Sequence, residues 1–257
     1  MMTSRHERPR AADASRATDL PFCDGVPVRL AGRDWIVVLA ATLAAFGILS
    51  LSPAGMLSGA LSILPAILFT GLPLAALAFV SGGHAGALFK PYGLRAFGQS
   101  VLFAFATITA SLAVASVVQT FAPLQPNAVA DVLATIGTFD LVVFLVRTFI
   151  QLIGEELTTV LPLLAVVWMC RARFGFGHRA SLVAGVAVST TWFAALHLPT
   201  YGWNVLQCFA VIGTARLVLT WAYLRTRNLW VCAGAHIIND GSIFAIGYAG
   251  SHLPVGV

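Results

Sequence analysis

The chain is poor in charged residues. Asp, Glu, Lys and Arg together make up 10% of its 257 residues, whereas 58% are hydrophobic. Soluble domains have about 25% charged and about 45–50% apolar residues, so the composition predicts a multi-pass protein of the cell membrane. The formal net charge of +5 does not indicate a nucleic-acid-binding protein, because the basic residues lie at the ends of hydrophobic runs, where they report membrane topology.

Polar linkers and paired cysteines are also lacking. No polar linker follows residue 33, so we expect a single transmembrane domain over 34–257. Residues 1–33 are polar and of mixed charge, and we expect a disordered cytoplasmic tail there. The cysteines show no CxxC spacing and predict neither a disulfide framework nor a cysteine metal site; they are Cys23, Cys170, Cys208 and Cys232.

Apolar runs of about 20 residues, the length of a membrane-spanning helix, predict an all-α bundle of about seven spans. Lys and Arg occur in alternate connections, which predicts a cytoplasmic N-terminus and an external C-terminus. We expect the long fourth run to tilt strongly or to break near Gly154, and we expect Pro65 and Pro73 to bend the second. The predicted spans are 34–51, 57–80, 99–121, 139–170, 179–198, 204–224 and 229–249.

Two adjacent carboxylates, Glu155 and Glu156, lie inside the fourth run. Because a charge at membrane depth costs about 2.5–3.5 kcal/mol, other groups of the bundle must neutralise or use them. A single intramembrane histidine could equally be a core residue hydrogen-bonded across helices, but three spans that each carry an ionisable group favour a functional site. The later spans supply candidates at helical spacing: Phe193 with His197, and His236 with Asn239 and Asp240.

The ordered set of motifs resembles the CAAX prenyl-protease and bacteriocin-processing family, called CPBP or Abi. The family pattern is Glu-Glu-x-x-x-Arg, then Phe-x-x-x-His, then His-x-x-x-Asn/Asp, on successive membrane helices. The resemblance covers about 139–249. In this chain Glu155-Glu156 matches the start of the first motif, Phe193 to His197 matches the second, and His236 to Asp240 matches the third.

The resemblance implies an intramembrane endopeptidase that hydrolyses a peptide bond. Glu155 with His197 would activate a water, and Glu156 would support Glu155. His236, with Asp240 or its neighbour Asn239, would stabilise the oxyanion, a role that a water-poor site strengthens. The implied partners are the lipid bilayer and a membrane-embedded or membrane-associated peptide or protein.

One departure from the family pattern concerns charge. The arginine expected one turn after Glu156 is Val160 here. Arg216, in the middle of the sixth run, is the predicted replacement, with Phe193 as a second supporting residue. Snorkelling of Arg216 to an interface is the alternative. Arg147 is less suitable, because its spacing places it on the far side of the helix from Glu156.

A second departure concerns the oxyanion site and cofactors. An ionised Asp240 cannot donate a hydrogen bond, so Asp240 is protonated, or Asn239 donates, or the site uses a metal. No cofactor is expected. Zinc is the metal alternative, as in a metalloprotease, because nitrogen and oxygen ligands suit it; its ligands would be Glu155, His197, His236 and Asp240.

Two other functions fit the same residues. One is acyl transfer in lipoprotein N-acylation, which would also use an activating glutamate and an oxyanion site. The other is a non-catalytic member that acts in bacteriocin immunity or as a scaffold, in which the missing arginine marks a decayed site.

Overall fold

The computed structural model describes residues 20–23, 25–52, 59–127 and 129–252, and these form an all-helical bundle without strands. Within these ranges, seven helices are long and apolar enough to cross a membrane, which confirms the predicted number of spans. The short helix α4 lies in a connection where the sequence predicts none. In chain order the helices are α1 (Gly32–Leu51), α2 (Leu64–Val80), α3 (Leu94–Val118), α4 (Val129–Thr135), α5 (Thr138–Phe174), α6 (His178–Leu196), α7 (Val205–Thr226) and α8 (Leu229–His252).

Helix α5 is the centre of the bundle. It packs against α1, α2, α6 and α8, and 72% of its most apolar stretch is buried, against 22–39% for the other spans. It runs without interruption for 37 residues, so the expected break near Gly154 is wrong. At about 1.5 Å per residue, it is longer than the hydrocarbon core of about 30 Å.

Close helix packing explains why two glycines lie on buried helix faces. A Cβ atom at Gly185 of α6 would lie 2.8 Å from Val167 Cγ2 of α5, and one at Gly154 of α5 would lie 2.5 Å from Phe69 Cδ1 of α2. Small residues let membrane helices approach to van der Waals contact, where association relies on packing. The Gly154 contact fixes α2 against the part of α5 that carries the glutamates, and the Gly185 contact fixes α6 against the part of α5 around Val167.

The prolines of the second span have different effects. Pro65 lies in the first turn of α2, where its missing N–H has no helical partner to lose, so it marks a helix start instead of the expected bend. A 3-10 turn, Gly59–Ile63, precedes it. Pro73 lies inside α2.

Order begins earlier than the predicted boundary at residue 33. Leu20, Phe22 and Leu30 are 2% exposed or less, and the thiol of Cys23 donates to the carbonyl oxygen of Leu164 in α5 at 3.3 Å. Residues 20–23 and 25–33 therefore pack on the bundle, where the sequence predicts disorder, because a few apolar side chains in this polar stretch anchor it. Residues 1–19 lie outside the described residues. Which end of the bundle faces the cytoplasm stays a prediction.

Candidate active site

Glu156 is the most strongly bonded carboxylate of the site. It is fully buried and accepts two hydrogen bonds from the Arg216 guanidinium, Nη1 to Oε1 at 2.7 Å and Nη2 to Oε2 at 2.8 Å. The Arg216 Nε also donates to Thr220 Oγ1 at 3.2 Å. Such a bidentate, charge-assisted pair matches the planar fork of arginine to a carboxylate. The predicted pairing of Arg216 with Glu156 is present, and snorkelling is wrong because Arg216 is completely buried.

The family position of the arginine is filled by an apolar residue. Val160 lies one turn after Glu156 and is 1% exposed in the core of the bundle. The cation comes instead from α7, at a separation of 60 residues from Glu156. Arg147, the other candidate, places its guanidinium carbon 5.7 Å from the ring centroid of Phe144.

The ring of His236 is held by the same glutamate. Its Nδ1 lies 2.8 Å from Glu156 Oε1. Because that carboxylate already accepts from arginine and has no proton to donate, Nδ1 must be the donor. This bond fixes the orientation of the ring, as a carboxylate does for histidines in metal sites and triads. The Nε2 atom then faces two other carboxylates, Glu155 Oε2 at 3.9 Å and Asp240 Oδ1 at 3.7 Å.

Glu155 has a different environment from its neighbour. Its Oε1 accepts from Gln151 Nε2 at 3.0 Å, and its side chain is 15% exposed. No arginine or lysine pairs with it in the described part of the chain. The preceding residue, Gly154, is pressed against Phe69 and Thr70 of α2. The adjacent glutamates therefore differ: Glu156 accepts from an arginine and a histidine, whereas Glu155 keeps free acceptor capacity beside a histidine.

Phe193 and His197 complete the wall of the site. His197 lies directly after α6, and its Nδ1 is 2.9 Å from the Phe193 carbonyl oxygen. A carbonyl only accepts, so Nδ1 carries a proton and Nε2 is the acceptor of the neutral ring. The Phe193 ring centroid lies 4.4 Å from that of His197, 6.3 Å from that of His236, and 5.1 Å from the guanidinium carbon of Arg216. Phe193 thus lies beside both histidines, with the guanidinium of Arg216 over its ring.

Asp240 lies at the more open side, next to the buried Asn239. The Asn239 amide donates to Asp240 Oδ1 at 2.8 Å, and the Asp240 side chain is 25% exposed. In this state the amide of Asn239 is directed to its neighbour and not to a reacting group. Among the described residues, no group of three or more His, Cys, Asp or Glu side chains is arranged to hold a metal ion.

Two further residues support the site and are missed by the motif reading. Gln151 bonds Glu155 from four residues before it, and Thr220 bonds Arg216 from four residues after it. Their spacing of four residues from Glu155 and Arg216 could have indicated these contacts, because positions four apart share a helix face. Polar residues at that spacing are common, however, so the spacing alone does not identify them.

Comparison with known proteins gives one family match. The sequence model of the family described as "Type II CAAX prenyl endopeptidase Rce1-like" matches residues 137–242. No curated protein and no solved structure matches the chain. The matched segment begins directly before α5, ends within α8 and contains every predicted site residue. Residues 137–242 are therefore a CAAX prenyl-protease (CPBP) family domain, within a multi-pass integral membrane protein.

Proposed function

We propose that this protein is an intramembrane endopeptidase of the CAAX-protease type, which hydrolyses a peptide bond in a membrane-associated substrate. The family domain supports the reaction class. The observation that carries the residue assignment is the unequal bonding of two adjacent glutamates: Glu156 accepts three short hydrogen bonds from Arg216 and His236, whereas Glu155 accepts one from an amide.

This difference separates the roles of the glutamates. A general base must take up a proton within hydrogen-bond reach of the reacting water. Glu156 is unsuited to this role, because its protonation would break the bidentate bond to Arg216 and leave the guanidinium charge buried without a partner. We assign Glu156 to the orientation of His236 and Glu155 to the base. His197, with Nε2 as an acceptor, would hold the same water.

The proposed reaction follows from these assignments. The Glu155 carboxylate takes a proton from the water while the water oxygen bonds to the scissile carbonyl carbon. The resulting oxyanion would accept a hydrogen bond from Nε2–H of His236 in its imidazolium form. The C–N bond then breaks, and protonated Glu155 returns its proton to the leaving amine. Hydrolysis thus yields a free amine and a new carboxylic acid, which ionises by releasing its proton to water, and the enzyme returns to its initial state.

Peptide cleavage in labelled water tests the proposal. Purified protein in lipid nanodiscs is incubated with peptides ending in a CaaX sequence, with and without a prenylated cysteine, in H₂¹⁸O. Mass spectrometry should find a shortened peptide whose new carboxylate carries one ¹⁸O. Glu155→Gln should lower the rate by about 10²–10⁴-fold, the usual contribution of a general base. Asp140→Asn, the same chemical change at an exposed position of α5, should have no effect.

Other outcomes separate the alternatives. A product that is acylated and lacks ¹⁸O would indicate acyl transfer. Cleavage that persists in Glu155→Gln would exclude Glu155 as the base. If neither peptide is cleaved or acylated by the wild type, a non-catalytic role gains support.

A further inference from the structure

The turn after α6 extends the row of site residues by one member. Phe193, His197 and Tyr201 are spaced four apart, and the Tyr201 N–H donates to the His197 carbonyl at 3.2 Å, so the helical path continues through the turn and all three share one face. It ends directly afterwards, where Gly202 and Trp203 have φ angles of 57° and 63°. Tyr201 therefore lies one turn beyond His197.

The same direction along α8 leads from His236 to Asp240. Helices α6 and α8 both run from Phe193 and His236, at the arginine, toward His197 and Asp240. Tyr201 lies one turn past His197, as Asp240 lies one turn past His236, and the charge of Asp240 acts on the Tyr201 phenol. Consistent with this, burial raises the pKa of the Tyr201 phenol to about 12, and the negative charges of Asp240 and Glu155 add to the rise. The hydroxyl remains protonated at neutral pH.

The oxygen of Tyr201 is held from the other side. The Asn127 side chain acts on the phenol from there and lowers its pKa, as a hydrogen-bond donor does. The Asn127 Oδ1 accepts from the Val129 N–H at 3.0 Å, and only the amide N–H group can lower the pKa of the phenol, because a donor favours the charged oxygen. The phenol oxygen therefore acts as an acceptor from Asn127, and its own proton is left to donate toward the carboxylates.

The loop that carries Asn127 is clamped in place. Gln207, which is 6% exposed, accepts from the Gln125 N–H at 2.7 Å and donates to the Gln125 carbonyl at 3.0 Å. Asn204 donates to the Pro123 carbonyl at 3.0 Å. These contacts fix the loop between α3 and α4 over the turn that holds Tyr201.

A neutral donor has a clear use at this end of the site. Asp240, where the resembling family also allows asparagine, cannot donate when ionised. The amide of Asn239 is directed to Asp240. We propose that Tyr201 is a catalytic residue whose O–H donates a hydrogen bond to the developing oxyanion, opposite His236. This inference rests on the proposed endopeptidase function. No bond is made or broken at Tyr201, and its proton stays on the phenol throughout.

Removal of the hydroxyl tests this role. Tyr201→Phe should lower kcat by about 10²–10³-fold, as the loss of an oxyanion donor does, with KM nearly unchanged. An amide at position 240 would supply a new donor. The double variant Tyr201→Phe/Asp240→Asn should therefore have a kcat at least ten-fold higher than that of Tyr201→Phe alone. Tyr248→Phe, at the far end of α8 where the ring stacks on His252, is the matched control and should keep wild-type kcat.

The outcomes distinguish this inference from the proposed function. A wild type that cleaves, together with an unchanged kcat in Tyr201→Phe, overturns the role of Tyr201 alone. Losses that simply add in the double variant also overturn it, because a structural tyrosine would not be rescued by an amide at position 240.

A second measurement does not need activity. With 3-fluorotyrosine at position 201 in the full-length protein, ¹⁹F NMR follows ionisation of the phenol. Asp240→Asn removes a negative charge and should lower the pKa of Tyr201, whereas the pKa of labelled Tyr248 should not change. An unchanged pKa at position 201 would show that the hydroxyl does not face Asp240 and would refute the inference.

Discussion

Removal of the buried guanidinium of Arg216 should cost far more stability than removal of an ordinary surface charge. Arg216→Met keeps an apolar side chain of similar length but leaves Glu156 without the two bonds of 2.7 and 2.8 Å that hold its charge. Exposed ion pairs contribute about 0–1 kcal/mol. Both of these side chains are 0% exposed, and breaking a buried pair costs about 3–5 kcal/mol.

The expected loss can be read as a melting temperature. One kcal/mol corresponds to about 2–4 °C for a chain of this size, so Arg216→Met should lower the Tm by about 6–20 °C. Tryptophan fluorescence during heating, in one detergent for all variants, measures it. Arg147→Met is the matched control: Arg147 also lies in a span, but its recorded contact is with the Phe144 ring, and such contacts contribute about 0.5–1 kcal/mol.

A compensating change identifies the cause of the loss. Glu156→Gln in the Arg216→Met background removes the orphaned charge but keeps an oxygen that can accept from His236 Nδ1. The double variant should therefore be more stable than Arg216→Met alone. If Arg216→Met melts no lower than Arg147→Met, or if Glu156→Gln restores nothing, the ion pair does not neutralise Glu156 as we argue.

Two other predictions concern the supports of the site. Gly154→Ala should destabilise the protein by about 1–3 kcal/mol, the usual cost of overpacking, because the new Cβ would lie 2.5 Å from Phe69 Cδ1. Gly71→Ala is the control and should not destabilise it, because no atom lies within 4 Å of the new Cβ. Equal melting temperatures of the two variants would refute the packing argument. Gln207→Ala should leave the N–H and carbonyl of Gln125 without their side-chain partner. An unsatisfied group costs about 1–3 kcal/mol, so hydrogen exchange of the Gln125 amide should become about 5–150-fold faster. Unchanged exchange would show that Gln207 is not needed to hold the loop.

The number of spans could be predicted because the free energy of transferring an apolar run into lipid depends on the residues of that run alone. That signal is local and strong, and it does not depend on how the helices pack. The path through the run around Gly154 could not be predicted, because a glycine in a helix permits either a break or a close contact, and Phe69 of α2 decides between them. The burial of Leu20 and Phe22 was missed for the same reason: a polar stretch with few apolar residues gives no local signal for docking onto α5.

The motifs identified the site residues but not their bonds. The need to neutralise Glu156 led to Arg216, because a buried carboxylate requires a cation and few were available within the spans. Nothing local indicates that His236 donates to the same carboxylate, or that Tyr201 continues the face of Phe193 and His197 through a turn containing Pro199. Both depend on the relative height of helices joined by short connections, which the sequence leaves open.

The arginine that pairs with Glu156 is at position 216 in this chain, and not at position 160 as in the family pattern. This difference changes what the ion pair does for the fold. An arginine one turn after Glu156 would neutralise it within α5 and would connect no other helix. Arg216 neutralises it from α7, and His236 bonds the same carboxylate from α8, so one buried glutamate joins three helices. Membrane helices gain no hydrophobic driving force from one another inside lipid, and unpaired polar groups there are costly. The contacts that orient His236 therefore also fix the register of α7 and α8 on α5, so that assembly of the bundle and assembly of the site are the same event.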